Sequence, residues 1–195
     1  MGIDPAPFWE NLFLYAYEVN YMSELIPLDK VKARHFHSTY RFIDDLCTLN
    51  DGGEFGRVYK DIYPSELELK VEHYGSHATC LNLDLNIREE ICVYKLFDKR
   101  DDFPFSIVRM PYVSSNIPES IFYSAMVGEF LRIARSTLFF NDFLPKACEL
   151  IHRLNNQGAK QHISIRHLRK IIQRHPDDFT HFRIETEDML SQILN

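Results

Sequence analysis

Apolar residues recur at helical spacing through Phe8, Leu12, Tyr15, Val19 and Met22. This predicts a helix with one buried stripe, starting at Pro7 and ending before Pro27. The period then changes. Tyr40, Phe42, Ile43 and Thr48 are aromatic or β-branched and favour extended backbone, while Asp44-Asp45 supplies turn chemistry, so residues 40–50 read as a β-hairpin. Residues 27–37 between them read as a polar connection. Asp51-Gly52-Gly53 breaks the second strand, and Phe55, Val58, Tyr59 and Ile62 mark a short amphipathic helix before Tyr63-Pro64.

Alternation of apolar and polar positions predicts strands at 67–72, 79–87 and 91–97, with Arg88-Glu89-Glu90 as the turn between the last two. Asp84 then belongs to the polar face of an antiparallel strand. A further strand is expected over 103–113. From Ser114-Ser115-Asn116-Ile117-Pro118-Glu119 onward the pattern is helical. One helix is spaced by Ile121, Ala125, Leu131, Ala134 and Leu138, and a second runs from about Phe143 to Leu154. A third puts Ile165, Leu168, Ile171 and Ile172 on one face and Arg166, Arg169, Lys170, Gln173 and Arg174 on the other. The acidic residues 185–195 read as a peripheral tail.

Charge sharpens this picture. The chain carries a formal net charge of −6, yet residues 130–175 hold nine Lys/Arg against two Asp/Glu, a net of +7 that leaves −13 on the rest. An acidic body with a basic helical end suits carboxylate-bound metal in one region and phosphate contact in another. Cys47, Cys80, Cys92 and Cys148 are scattered, which argues against a disulfide framework or a zinc ribbon. His35-x-His37 and the run His73, His77, Cys80 lack a complete ligand set at metal spacing. The longest apolar run, residues 12–17, is far short of the roughly 20 residues a membrane span needs. Asp4 and Glu10 stand where a signal peptide would be basic, and the expectation is an intracellular protein of nucleus or cytoplasm with no membrane partner.

The two adjacent carboxylates in an otherwise apolar run carry the chemistry. Burying carboxylates is costly unless a cation neutralises them, so the hairpin suggests a divalent-metal site. Arg41-Phe42-Ile43-Asp44-Asp45 resembles the aromatic-x-Asp-Asp signature of reverse transcriptases. Residues 1–14, Met-Gly-Ile-Asp-Pro-Ala-Pro-Phe-Trp-Glu-Asn-Leu-Phe-Leu, stand upstream in the right order. They resemble that family's preceding motif, a glycine loop leading through a small residue and proline into a helix ending in Asn-Leu-x-Leu.

The resemblance implies an α+β fold: a partial polymerase palm over residues 1–113, an antiparallel sheet with helices on one face, then a helical thumb-like lobe over 114–195. It implies RNA-directed DNA polymerisation by a non-retroviral transposable element, with Mg2+ or Mn2+ as cofactor and an RNA template, DNA primer duplex and deoxynucleotides as partners. Asp44 would be the direct catalytic metal ligand and Asp45 its support. Gly2 and Phe42 would lie against nucleotide and template, and Arg166, Arg169, Lys170 and Arg174 against the duplex backbone. The family's fingers and first aspartate-bearing strand precede the matched region, which implies a fragment inactive until joined to its missing N-terminal part. The alternative is a non-catalytic remnant that binds nucleic acid or a protein partner. A viral RNA-dependent RNA polymerase fits less well, because those enzymes usually carry Gly-Asp-Asp where this chain has Ile43-Asp44-Asp45.

Overall fold

The computed structural model describes residues 5–105, 107–108 and 110–194. It is α+β, with seven α-helices and two small antiparallel sheets among those residues. The chain divides into two compact units, one ending at Tyr74 and the other beginning at Gly75. The sequence-based division after residue 113 therefore falls elsewhere, and the three-stranded sheet expected beside the hairpin belongs with the helices.

In the first unit, α1 (Ala6–Leu28) begins with Pro7 in its first turn, where a missing N–H costs nothing. Pro27 does not end it. A proline this close to the C-terminus sacrifices a single hydrogen bond, and the Asp29 N–H closes the helix on the Leu25 carbonyl at 2.8 Å. Asp29 then caps α2 (Lys30–Arg34), accepting from the Val31 and Lys32 N–H groups at 3.0 and 2.9 Å. The expected polar connection is thus partly helical, because the Asp29 cap satisfies the first N–H groups of a short helix there.

The hairpin follows as β1 (Thr39–Phe42) and β2 (Asp45–Thr48). Helix α3 (Glu54–Ile62) buries Phe55, Val58 and Ile62 beneath Tyr21, Phe36, Leu46, Tyr59 and Tyr63. The stripe expected to bury α1 lies instead on its exposed face, Phe8 at 65% and Tyr15 at 58%. Residues 67–72 form no strand, since alternation yields one only where a neighbouring edge can pair with it.

The second unit opens with β3 (His77–Cys80), β4 (Leu83–Arg88) and β5 (Ile91–Leu96), in the order β3-β4-β5. The single strand expected over 79–87 is split by Leu81-Asn82, both left-handed at φ 50° and 65°. Glu89-Glu90 makes the next two-residue turn in the same way, as twisted hairpins require. On this sheet Asp84 accepts from His77 at 2.6 Å and pairs with Lys95 at 3.4 Å. The described part of 103–113 is irregular and forms no strand.

Four helices follow: α4 (Glu119–Arg135), α5 (Phe140–Asn156), α6 (Gln161–Arg174) and α7 (Thr186–Leu194). Their core includes Phe122, Met126 and Phe130 of α4, Phe143, Leu150 and Leu154 of α5, and Leu168 and Ile172 of α6. The buried face of α4 is turned away from Ile121, which is exposed, because the larger Phe122, Met126 and Phe130 claim the interior. The last segment is not peripheral either. Met189, Leu190 and Ile193 of α7 are buried in this core, where their apolar area outweighs the charge on the opposite face.

A charged network closes the sheet end of the core. Asp98, 8% exposed, accepts both Arg100 Nε–H contacts at 2.8 and 2.9 Å, and Glu129 takes Arg132 at 2.7 and 2.9 Å. Arg100's guanidinium holds the Asp98 carboxyl well below its ordinary value of 3.8, against the opposing effect of burial. A folded value below the unfolded one stabilises the protein at neutral pH, and that contribution is lost as pH falls through the carboxylate range.

Two stability predictions result. Asp98→Asn lowers unfolding stability at neutral pH by about 1.5–3 kcal/mol, because charge-assisted bonds to Arg100 are lost. Denaturant titrations should show that deficit narrowing as pH drops below 3.8. Ser164 is fully buried in α6 with its hydroxyl unpartnered, so Ser164→Ala should raise stability by about 1 kcal/mol in the same assay.

Candidate metal hairpin and cationic helix

The ladder pairs Thr39 with Thr48, Tyr40 with Cys47, Arg41 with Leu46 and Phe42 with Asp45. Ile43-Asp44 therefore forms the turn, one residue earlier than the Asp44-Asp45 turn read from sequence. The reason is register. Side chains alternate across a strand, so only this pairing places Arg41 and Leu46 together on the inner face and leaves Tyr40 and Phe42 outside. Leu46 packs on the α3 cluster.

Arg41 fixes that register. Its Nε–H donates to Glu18 Oε1 at 2.7 Å and its Nη1 to Asn11 Oδ1 at 2.6 Å. Nη2 reaches the Asn11 carbonyl at 3.2 Å, and Nη1 the Ile43 carbonyl at 3.4 Å. One guanidinium thus ties α1 to the hairpin turn, a geometry that needs its rigid five-donor fork. Glu18 also accepts from the Tyr63 hydroxyl at 2.7 Å. Burial first, and then this bond to Glu18, push the Tyr63 phenol far above its usual range, so it stays a donor. The network joins α1, β1 and the end of α3.

Braced this way, the turn carries Ile43 at φ +55°, a conformation that β-branched residues rarely adopt. Asp44 sits at the tip and Asp45 beside it, both exposed, so the burial that would have demanded a neutralising cation is absent and only their placement at the turn speaks for a metal. Phe42, across the ladder from Asp45, is 59% exposed. Gly2 lies outside the described residues. The two carboxylates offer hard oxygens suited to magnesium, which is commonly held by one or two carboxylates while keeping several waters. Among the described residues no group of three His, Cys, Asp or Glu side chains could hold a metal ion.

The cations read from sequence separate into two kinds. Arg166, Lys170 and Arg174 are exposed on α6, and no ion pair is seen for them among the described residues. Arg169 is instead engaged with Glu187 of α7, Nε–Oε1 at 2.7 Å and Nη2–Oε2 at 2.8 Å. Sequence reading missed this because Glu187 lay in the supposed tail. It also missed Glu18, Asn11 and Tyr63, which no local pattern brings together with Arg41.

No protein-family model, curated protein or solved structure matches the chain. No helix among the described residues is long and apolar enough to cross a membrane.

The brace predicts a measurable asymmetry. Arg41→Ala, which leaves Glu18 without its cation, lowers first-unit stability by about 2 kcal/mol. Arg41→Lys recovers only part, since an ammonium cannot reach Asn11, Glu18 and the turn carbonyl together. Hydrogen exchange at the amides of residues 39–48 reads both effects.

Proposed function

We propose that the chain is part of a retroelement reverse transcriptase and contributes the metal-binding hairpin of its palm and a duplex-contacting helical lobe. The observation that carries this reading is the arrangement at the turn: Asp44 exposed at a hairpin tip that Arg41 fixes from behind, with Asp45 and an outward aromatic, Phe42, adjacent. Such a tip can bring carboxylate oxygens to a metal and a ring to a base or sugar without disturbing the strands beneath.

Asp44 would hold Mg2+ or Mn2+ directly, with Asp45 in support. A metal bound there supplies charge neutralisation for in-line phosphoryl transfer between a primer end and a deoxynucleotide. The chain's own residues do the positioning. Arg41 keeps the turn from opening, and the Ile43 carbonyl is held by its guanidinium. Phe42 offers a stacking face to nucleotide or template. Two metals need ligands from more than one strand, so the reading places the remaining carboxylate on a further palm segment.

The α6 face supports the nucleic-acid half. Arg166, Lys170 and Arg174 point outward from a helix whose other side is buried through Leu168, Ile171 and Ile172. Cations on a rigid helix contact a phosphate backbone without reading sequence. These same cations would serve a non-catalytic remnant that binds nucleic acid, and two experiments separate the readings.

In the first, the chain is extended at its N-terminus by an aspartate-bearing palm strand and tested for RNA-templated DNA primer extension. Extension that Asp44→Asn abolishes is expected; no extension by the unmutated protein would overturn the enzyme reading. In the second, Arg166, Lys170 and Arg174 are changed together to Gln. The slope of log affinity against log salt for an RNA–DNA duplex should flatten by about one unit per cation, with Arg169→Gln changing it less because Glu187 already neutralises Arg169. An unchanged slope in the triple variant would return that face to plain solvation.

A further inference from the structure

Helix α1 has two apolar faces, and only one is used within its unit. Tyr21 packs on the α3 cluster, and Asn11 and Glu18 hold Arg41. A second face, turned well away from Tyr21 but bordered by Asn11 and Glu18, carries Phe8, Leu12, Tyr15, Val19, Met22 and Ile26. All except Met22, which is half-buried, are at least 40% exposed. No residue of this helix is buried.

The intervals along that face run four, three, four, three, four. That spacing fits a left-handed helix pair, in which each side chain drops between four of a facing helix. At 1.5 Å per residue the seam runs for about 27 Å. Trp9, 60% exposed, and Ala16 and Ser23 flank it on one side, and Asn11, Glu18 and Leu25 on the other. Of the helix's charged residues, Glu18 is bound to Arg41, and Glu10 and Glu24 fall on the far side by helical periodicity.

We propose that α1 pairs with α1 of a second copy of this chain, in a two-fold helix pair along the Phe8-to-Ile26 seam. The seam residues carry no charge and the Glu18 carboxylate on their border is already paired with Arg41, so two copies can meet along it with no unpaired like charges opposed. The exposed aromatic and aliphatic side chains offer roughly 600 Å² per copy, so a pair buries about 1,200 Å². That reaches the lower bound of stable specific interfaces, and a dimer that dissociates on dilution follows. This pairing does not depend on the metal-binding role of the hairpin.

The test is sedimentation velocity on the full chain over about a hundredfold range of concentration. The unmutated protein should move from monomer to dimer across that range. Leu12→Glu combined with Val19→Glu should weaken dimerisation at least tenfold with unchanged far-ultraviolet helix content, since both side chains already face solvent. Glu10→Lys with Glu24→Lys, off the seam, should leave the dimer intact. A protein that stays monomeric throughout overturns the proposal. So does a dimer that survives the seam variant, or one that the off-seam variant disrupts equally.

Discussion

The first unit depends on one guanidinium. A two-stranded hairpin is marginal by itself in water, and this one covers little apolar area. Arg41 makes up the difference by reaching a carboxylate, an amide and two backbone carbonyls drawn from α1 and the turn. Because those acceptors are fixed, the strand can present Arg41 in a single register only, and everything outward of it, Phe42 and the two aspartates, is set by that choice. The left-handed Ile43 is tolerated for the same reason: the turn is anchored on both sides of the strained residue.

The second unit is built on a different balance. Its core is aromatic, with Phe143 packed against Phe130 at 5.5 Å and Phe182 at 4.7 Å between ring centres. Charges are admitted at its margin only in mutual satisfaction, as Asp98, Arg100, Glu129 and Arg132 illustrate. Arg169 follows that rule through Glu187, while Arg166, Lys170 and Arg174 of α6 make no ion pair among the described residues. Exposed cations are what a phosphate surface requires, and this supports the nucleic-acid reading.

Much of the architecture could be read along the chain where one strong local signal sufficed. The hairpin, the α3 helix after Gly52-Gly53 and the one-sided α6 all emerged from period and punctuation. Failures arose where the decision was not local. The α1 stripe has helical spacing, yet periodicity cannot tell which of two apolar faces is buried when Tyr21 competes with Phe8 and Tyr15. Residues 67–72 alternate but find no partner edge. Leu81 gives no hint of a turn, since leucine seldom takes positive φ. The acidic α7 concealed Met189, Leu190 and Ile193 behind its charge. At the candidate site the aspartates were visible, whereas the brace was not, because Glu18, Asn11 and Arg41 are brought together only by tertiary structure.

On the proposed reading, the braced turn offers Asp44 and Asp45 to a divalent metal. Paramagnetic broadening of backbone amides by Mn2+ tests it most directly, with the unmutated chain compared with Asp44→Asn and Arg41→Ala. Broadening should centre on residues 43–46, be abolished by Asp44→Asn and be weakened by Arg41→Ala. Broadening spread over the acidic surface and indifferent to Asp44→Asn would contradict it.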